Sequence, residues 1–129
     1  MQYKFMQYKF KRNHPVREIN SFKYAFEGLM HAFFTEPNFR IQVFIVAFSI
    51  ILSKLYKITR TEWSILIVSL GLLLIVELLN TVIEEIMDQL MKEYSEGTKI
   101  IKDVSAAAVL TASFVVLANL IIIFWPKIF

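Results

Sequence analysis

Residues Val104 to Trp125 form a run of 22 without one charged side chain. The hydrocarbon core of a bilayer takes about 20 helical residues to cross, so the run reads as a transmembrane helix. An earlier run, Trp63 to Val76, is uncharged for 14 residues. It continues without a helix breaker into VELLNTVIEEIMD, residues 76–88. A third, Ile41 to Ser53, reaches about 17 residues, the low end for a span, when Phe39, Leu55 and Tyr56 extend it. Inside lipid every backbone polar group must be satisfied, which favours helices. Glycine occurs only at 28, 71 and 97 and proline only at 15, 37 and 126, too few for many strands and turns. The 129 residues, 57% hydrophobic with mean hydropathy +0.55, fit one all-α membrane domain.

Before the spans, Ile19, Phe22, Phe26, Leu29 and Phe33 recur at spacings of 3, 4, 3 and 4. That places them on one helical stripe, with Arg17, Glu18, Lys23 and Glu27 on other faces. The pattern predicts an amphipathic helix lying on the membrane surface over residues 16–34 and ended by Glu36-Pro37. A basic tail, residues 1–15, precedes it and carries MQYKF twice. The predicted spans are about 39–56, 63–90 and 103–125, within a domain of residues 16–129. Ten of the 14 Lys and Arg residues fall on the side of the N-terminus, which puts the N-terminus in the cytoplasm. The net charge is only +3 and the cations flank apolar runs rather than forming a stripe, so nucleic acid is not suggested. With no Cys there is neither a disulfide framework nor a thiolate metal site.

The carboxylates after Val76 carry the chemistry. On a helix Glu77, Glu84 and Asp88 share a face, with Asn80 about 60° to one side and Glu85 about 80° to the other. A charge at membrane depth costs about 2.5–3.5 kcal/mol. Glu77 must therefore face protein, water or an ion, and either serves chemistry or joins helices. Oxygen donors suit a hard cation such as Mg²⁺. No Walker-type or Gly-x-Gly-x-x-Gly loop is present to cradle phosphate. Glu96-Gly97-Thr98-Lys99 reads as a loop, and Lys102-Asp103 as the start of the third span, where free amides and Lys99 and Lys102 could meet phosphate. Magnesium on carboxylates, lysines on phosphates and a base in the membrane would be the parts for phosphoryl transfer to an alcohol at the bilayer surface, but acidic residues beside spans also occur in channels and transporters.

Glu77-Leu78-Leu79-Asn80-Thr81-Val82-Ile83-Glu84 with Asp88 resembles a family signature, Glu-x-x-Asn-[Ser/Thr]-x-x-Glu followed by Asp. Lys102-Asp103 with Ser105-Ala106-Ala107-Ala108-Val109 matches a second motif, and Glu36 with Asn38-Phe39-Arg40 and Tyr24 with Gly28-Leu29 a third. The family is the small prokaryotic diacylglycerol kinases, which include undecaprenol kinases, and the resemblance runs from about residue 16 to the end.

The resemblance implies a homotrimer in the bacterial cytoplasmic membrane, with active sites shared between neighbouring chains. It implies ATP as donor, Mg²⁺ as cofactor and a membrane lipid, undecaprenol or diacylglycerol, as acceptor. Carried over residue by residue, it makes Glu77 the catalytic base, Glu36 and Glu84 the metal ligands, and Asn80 a support for Glu77 that lines the site. Arg17, Tyr24, Glu36, Glu84, Glu93, Tyr94, Lys102 and Asp103 become nucleotide-binding positions. Phe26 and Ser105-Ala106-Ala107 depart from the enterobacterial pattern near lipid and packing contacts, so the acceptor stays open. The alternative is a non-catalytic membrane scaffold or a carrier subunit that uses Glu77.

Overall fold

The computed structural model describes residues 15–91 and 95–129, with side chains described from residue 20 among the first helix's residues. It is all-α: α1 Pro15–Thr35, α2 Pro37–Leu55, α3 Arg60–Leu90 and α4 Glu96–Ile128, with no strand among the described residues. The repeated MQYKF lies outside them. Two compact units divide the chain, the first ending at His31 and the second running from Ala32 to Phe129.

The first unit holds most of α1. Phe22, Phe26 and Leu29, three members of the predicted stripe, are exposed. Exposed rings at helical spacing suit a surface that meets lipid.

The second unit begins where the sequence breaks its own helix. Glu36 is extended at φ −98° and ψ 109°, as the residue before a proline must be, and Pro37 opens α2. Pro37 brings no amide proton, and the Arg40 guanidinium donates to the Phe34 carbonyl at 3.2 Å. One terminal carbonyl of α1 is thereby satisfied.

α2 ends in a Schellman turn. Ile58 N–H reaches the Ser53 carbonyl at 3.2 Å and Lys57 N–H that of Lys54 at 3.4 Å. Lys57 takes φ +48°, and Ile58 is buried beneath the turn. Thr59 and Glu62 then form a capping box at the start of α3, with Thr59 N–H to Glu62 Oε2 at 2.7 Å and Glu62 N–H to Thr59 Oγ1 at 3.3 Å.

α3 and α4 run antiparallel, tied at both ends. Glu62 pairs with Lys127 at 3.0 Å near one end, and Asp88 with Lys102 at 2.7 Å near the other. Between the ties Leu66, Leu70 and Leu73 pack with Ala112, Val116, Ile123 and Phe124. Several hydroxyls in the spans turn back on their own helix, as Ser49 does to the Ile45 carbonyl and Ser53 to that of Ser49, both at 2.7 Å. They leave no bare donor toward lipid.

Three helices, α2, α3 and α4, are long and apolar enough to cross a membrane. The 31 residues of α3 and 33 of α4 extend about 46 and 50 Å, well beyond a hydrocarbon core of about 30 Å. Their apolar stretches begin and end near the Glu62–Lys127 tie. The excess of both helices therefore projects at the other end, with Glu84, Asp88, Lys99, Lys102 and Asp103.

One sequence expectation is corrected here. Glu96 to Lys99 form the first turn of α4, not a loop. Ser95 caps that turn, its Oγ accepting from Thr98 N–H at 3.1 Å, and Glu96 adds an acidic side chain where the helix dipole favours one. The free amides belong to this turn, so Lys102-Asp103 sit well inside the helix.

Candidate active site

Glu77 is where the leucine stripe of α3 changes character. Residues 66, 70, 73, 77 and 80 follow the 4, 3, 4, 3 spacing of a buried helical seam and are all buried. The first three are Leu, the fourth is Glu77 at 2% exposed, and the fifth is Asn80. A carboxylate thus occupies a core position next to the apolar packing of α3 against its neighbours.

Its hydrogen-bond partner comes from α2. Gln42 Nε2 donates to Glu77 Oε2 at 2.6 Å, with both side chains buried. Glu36 and Glu84 lie within electrostatic reach of Glu77. Glu36 is half-buried at the N-cap position of α2, and Glu84 is half-buried one turn beyond Asn80. Asn80 Nδ2 donates to Glu84 Oε1 at 3.2 Å. The amide held by Glu77 is therefore that of Gln42, while Asn80 gives its own to Glu84.

Three buried oxygens, Gln42 Oε1, Asn80 Oδ1 and Thr81 Oγ1, have no hydrogen-bond partner among the described residues. Buried acceptors left bare are uncommon in folded proteins and call for an explanation.

Further along α3 the site opens toward water. Asp88 is exposed and pairs with half-buried Lys102, and Glu84 also lies within electrostatic reach of Lys102. Lys99 pairs with Asp103 at 2.6 Å on the exposed face of α4. Glu85 is exposed and accepts from Gln89 at 3.3 Å. Beside the buried end, α2, α3 and α4 leave a groove of about 390 Å³, lined by Gln42, Ile45, Leu73, Val109, Ser113 and Val116 among others.

The second unit thus brings together Glu36, Glu77, Asn80 and Glu84, with Lys102 beside Glu84 and Asp103 one residue on. Tyr24 is exposed on α1 in the first unit. Arg17 is on the same helix, but its side chain lies outside the described residues, as do Glu93 and Tyr94. Sequence reading passed over Gln42. Its signal was available: it is the one amide in the uncharged run Ile41 to Ser53.

Among the described residues no three His, Asp or Glu side chains come close enough to enclose a metal by themselves. Glu36 and Glu84 still suit Mg²⁺, which is commonly bound by one or two carboxylates with water and substrate phosphates completing its shell. The bare Asn80 oxygen adds a neutral acceptor beside Glu84.

Residues 23–124 match the prokaryotic diacylglycerol kinase family. The chain belongs to that family. The match takes in every site residue above from Tyr24 to Asp103 and starts after Arg17. The chain is 38% identical over 94 residues to a diacylglycerol kinase of Synechocystis, covering 72% of this chain and 54% of that one. It therefore spans about half the length of that relative. It is 32% identical over 110 residues to the diacylglycerol kinase of Escherichia coli, covering 85% of this chain and 90% of that one. With the undecaprenol kinase of Bacillus subtilis it shares 30% identity over 123 residues, 95% of this chain and all of that one. The family membership read from the three motifs is borne out.

Proposed function

We propose that this protein phosphorylates a membrane lipid alcohol, diacylglycerol or undecaprenol, with ATP as donor and Mg²⁺ as cofactor, at the cytoplasmic face of the bacterial membrane. The observation that carries the reading is a buried carboxylate, Glu77, on a membrane helix with Glu36 and Glu84 in electrostatic reach. The charges of Glu36 and Glu84 each act unfavourably on that of Glu77, and a bound cation would offset them.

In the reaction the lipid hydroxyl oxygen bonds to the terminal phosphorus of ATP. The bond from that phosphorus to ADP breaks, and the hydroxyl proton passes to Glu77. An alcohol is a poor nucleophile, and a base in hydrogen-bond reach removes the proton as the bond forms. Glu36 and Glu84 would hold Mg²⁺, and Asn80 holds Glu84. Bound there, Mg²⁺ offsets charge on the transferring group. Lys102 offers a cation to phosphate, exchanging Asp88 for it, and Asp103 meets the nucleotide. Arg17, Tyr24, Glu93 and Tyr94 are assigned to the nucleotide on the family pattern. The groove beside Gln42 takes part of the lipid's apolar chain. The protein works as a homotrimer with composite sites, its N-terminus in the cytoplasm.

The test is transfer of labelled phosphate from ATP to diacylglycerol and to undecaprenol, side by side in lipid-detergent micelles. Glu77→Gln is expected to lose turnover at least a hundredfold while helicity and oligomeric state persist. Glu84→Gln is expected to need at least tenfold more Mg²⁺ for half-maximal rate. Normal turnover in Glu77→Gln, or an unchanged Mg²⁺ requirement in Glu84→Gln, removes the corresponding assignment.

A further inference from the structure

We infer that Gln42 is a positioning residue for the proton-accepting carboxylate, an inference that rests on the kinase reading above. The two side chains meet across helices at 2.6 Å, Gln42 Nε2 on Glu77 Oε2, and both are buried. An ionised carboxylate only accepts, so the amide must present its NH₂ edge to it. That contact occupies one carboxylate oxygen and fixes the plane of the group. Among the described residues nothing hydrogen-bonds the other oxygen, Oε1, which remains for an incoming hydroxyl.

The residue type suits the task. A lysine here would neutralise the base with a full charge. A second carboxylate would repel Glu77 or compete for the proton. A glutamine donates a hydrogen bond, carries no charge and cannot retain a transferred proton at neutral pH. The proton of the alcohol is then directed to Glu77 alone.

The surroundings of Gln42 separate this role from ordinary helix cohesion. Its carbonyl oxygen, Oε1, is buried and unpartnered. An amide placed only to join helices in lipid would be expected to satisfy both ends, because each bare end costs about 1–3 kcal/mol. The same side chain lines the groove between α2 and α4. Gln42 therefore touches the base with one edge and borders the path of an apolar chain with the other. It lies on the same helix whose N-cap is Glu36, so one rigid element sets both a metal-binding carboxylate and the orientation of the base.

The experiment is steady-state kinetics of full-length wild type, Gln42→Met, Gln42→Asn, Glu77→Gln and the Gln42→Met/Glu77→Gln double variant, with thermal midpoints for each. Methionine keeps the length of the side chain without its donor, and asparagine keeps the donor one methylene short. Gln42→Met is expected to lose kcat by about tenfold to a hundredfold, the scale of misplacing a general base. Its KM for ATP and for the lipid is expected to stay within about threefold, with Gln42→Asn in between. In the Glu77→Gln background Gln42→Met is expected to cost no further kcat, since the oriented group is gone. If kcat in Gln42→Met stays within twofold of wild type, the inference is overturned while the kinase reading stands. A fall of kcat accompanied by a rise of KM beyond threefold and a lowered thermal midpoint overturns it too, by making the contact structural. A wild type that phosphorylates neither lipid removes the kinase reading and this inference together.

Discussion

Glu77 holds a position that its predecessors on the same stripe, Leu66, Leu70 and Leu73, give to leucine. Packing alone would favour a fourth leucine, because removing a buried charge from a low-dielectric site relieves its desolvation. Changing Glu77 alone would strand the Gln42 amide. The pair is therefore expected to behave as a unit. Glu77→Leu combined with Gln42→Leu is predicted to be inactive yet more stable than wild type by about 1–3 kcal/mol. Thermal unfolding in one detergent, followed by circular dichroism, checks this, and a lowered midpoint would show that the polar pair holds the helices together.

At the scale of elements, the connection from α2 to α3 sets where Gln42 meets Glu77. α2 stops in the Schellman turn, the chain reverses at Lys57, and the Thr59–Glu62 box starts α3. Lys57 is the one non-glycine residue with positive φ among the described residues. A side chain in that conformation costs about 1–2 kcal/mol that glycine avoids. Lys57→Gly is predicted to raise stability by about 0.5–1 kcal/mol, and Lys57→Val to lower it by at least as much. Thermal midpoints of the two variants decide it. Activity is expected to stay near wild type in Lys57→Gly, since the turn lies at the end of α3 remote from the site.

For the whole molecule, the controlling fact is that α3 and α4 outrun the bilayer at the same end. Their projecting turns carry the carboxylates and lysines, while Glu77 stays within the apolar length. In the proposed reaction one helix would join the lipid phase of the alcohol to the aqueous phase of the nucleotide. The proposed orientation can be read with single cysteines, because the chain has none of its own. In right-side-out vesicles a membrane-impermeant maleimide is predicted to label Lys54→Cys and spare Lys99→Cys, with the pattern reversed in inverted vesicles. Labelling of Lys99→Cys from outside would place the carboxylates on the wrong face for cellular ATP.

The sequence by itself determined the helices and the family. Long uncharged runs have few ways to satisfy their backbone in lipid, and the signature from Glu77 to Asp88 is local enough to read in line. Local spacing also put Glu77 and Glu84 on one face, because a helix repeats every 3.6 residues. Only tertiary structure decided the partners across helices. The pairing of Gln42 with Glu77 joins residues 35 apart in the chain, and that of Asp88 with Lys102 depends on an antiparallel return. No periodicity encodes such contacts, since they arise from where separate helices cross. The start of α4 was misread for a different, local reason: Glu96-Gly97-Thr98-Lys99 read as a loop, but the Ser95 cap and the acidic Glu96 start a helix there.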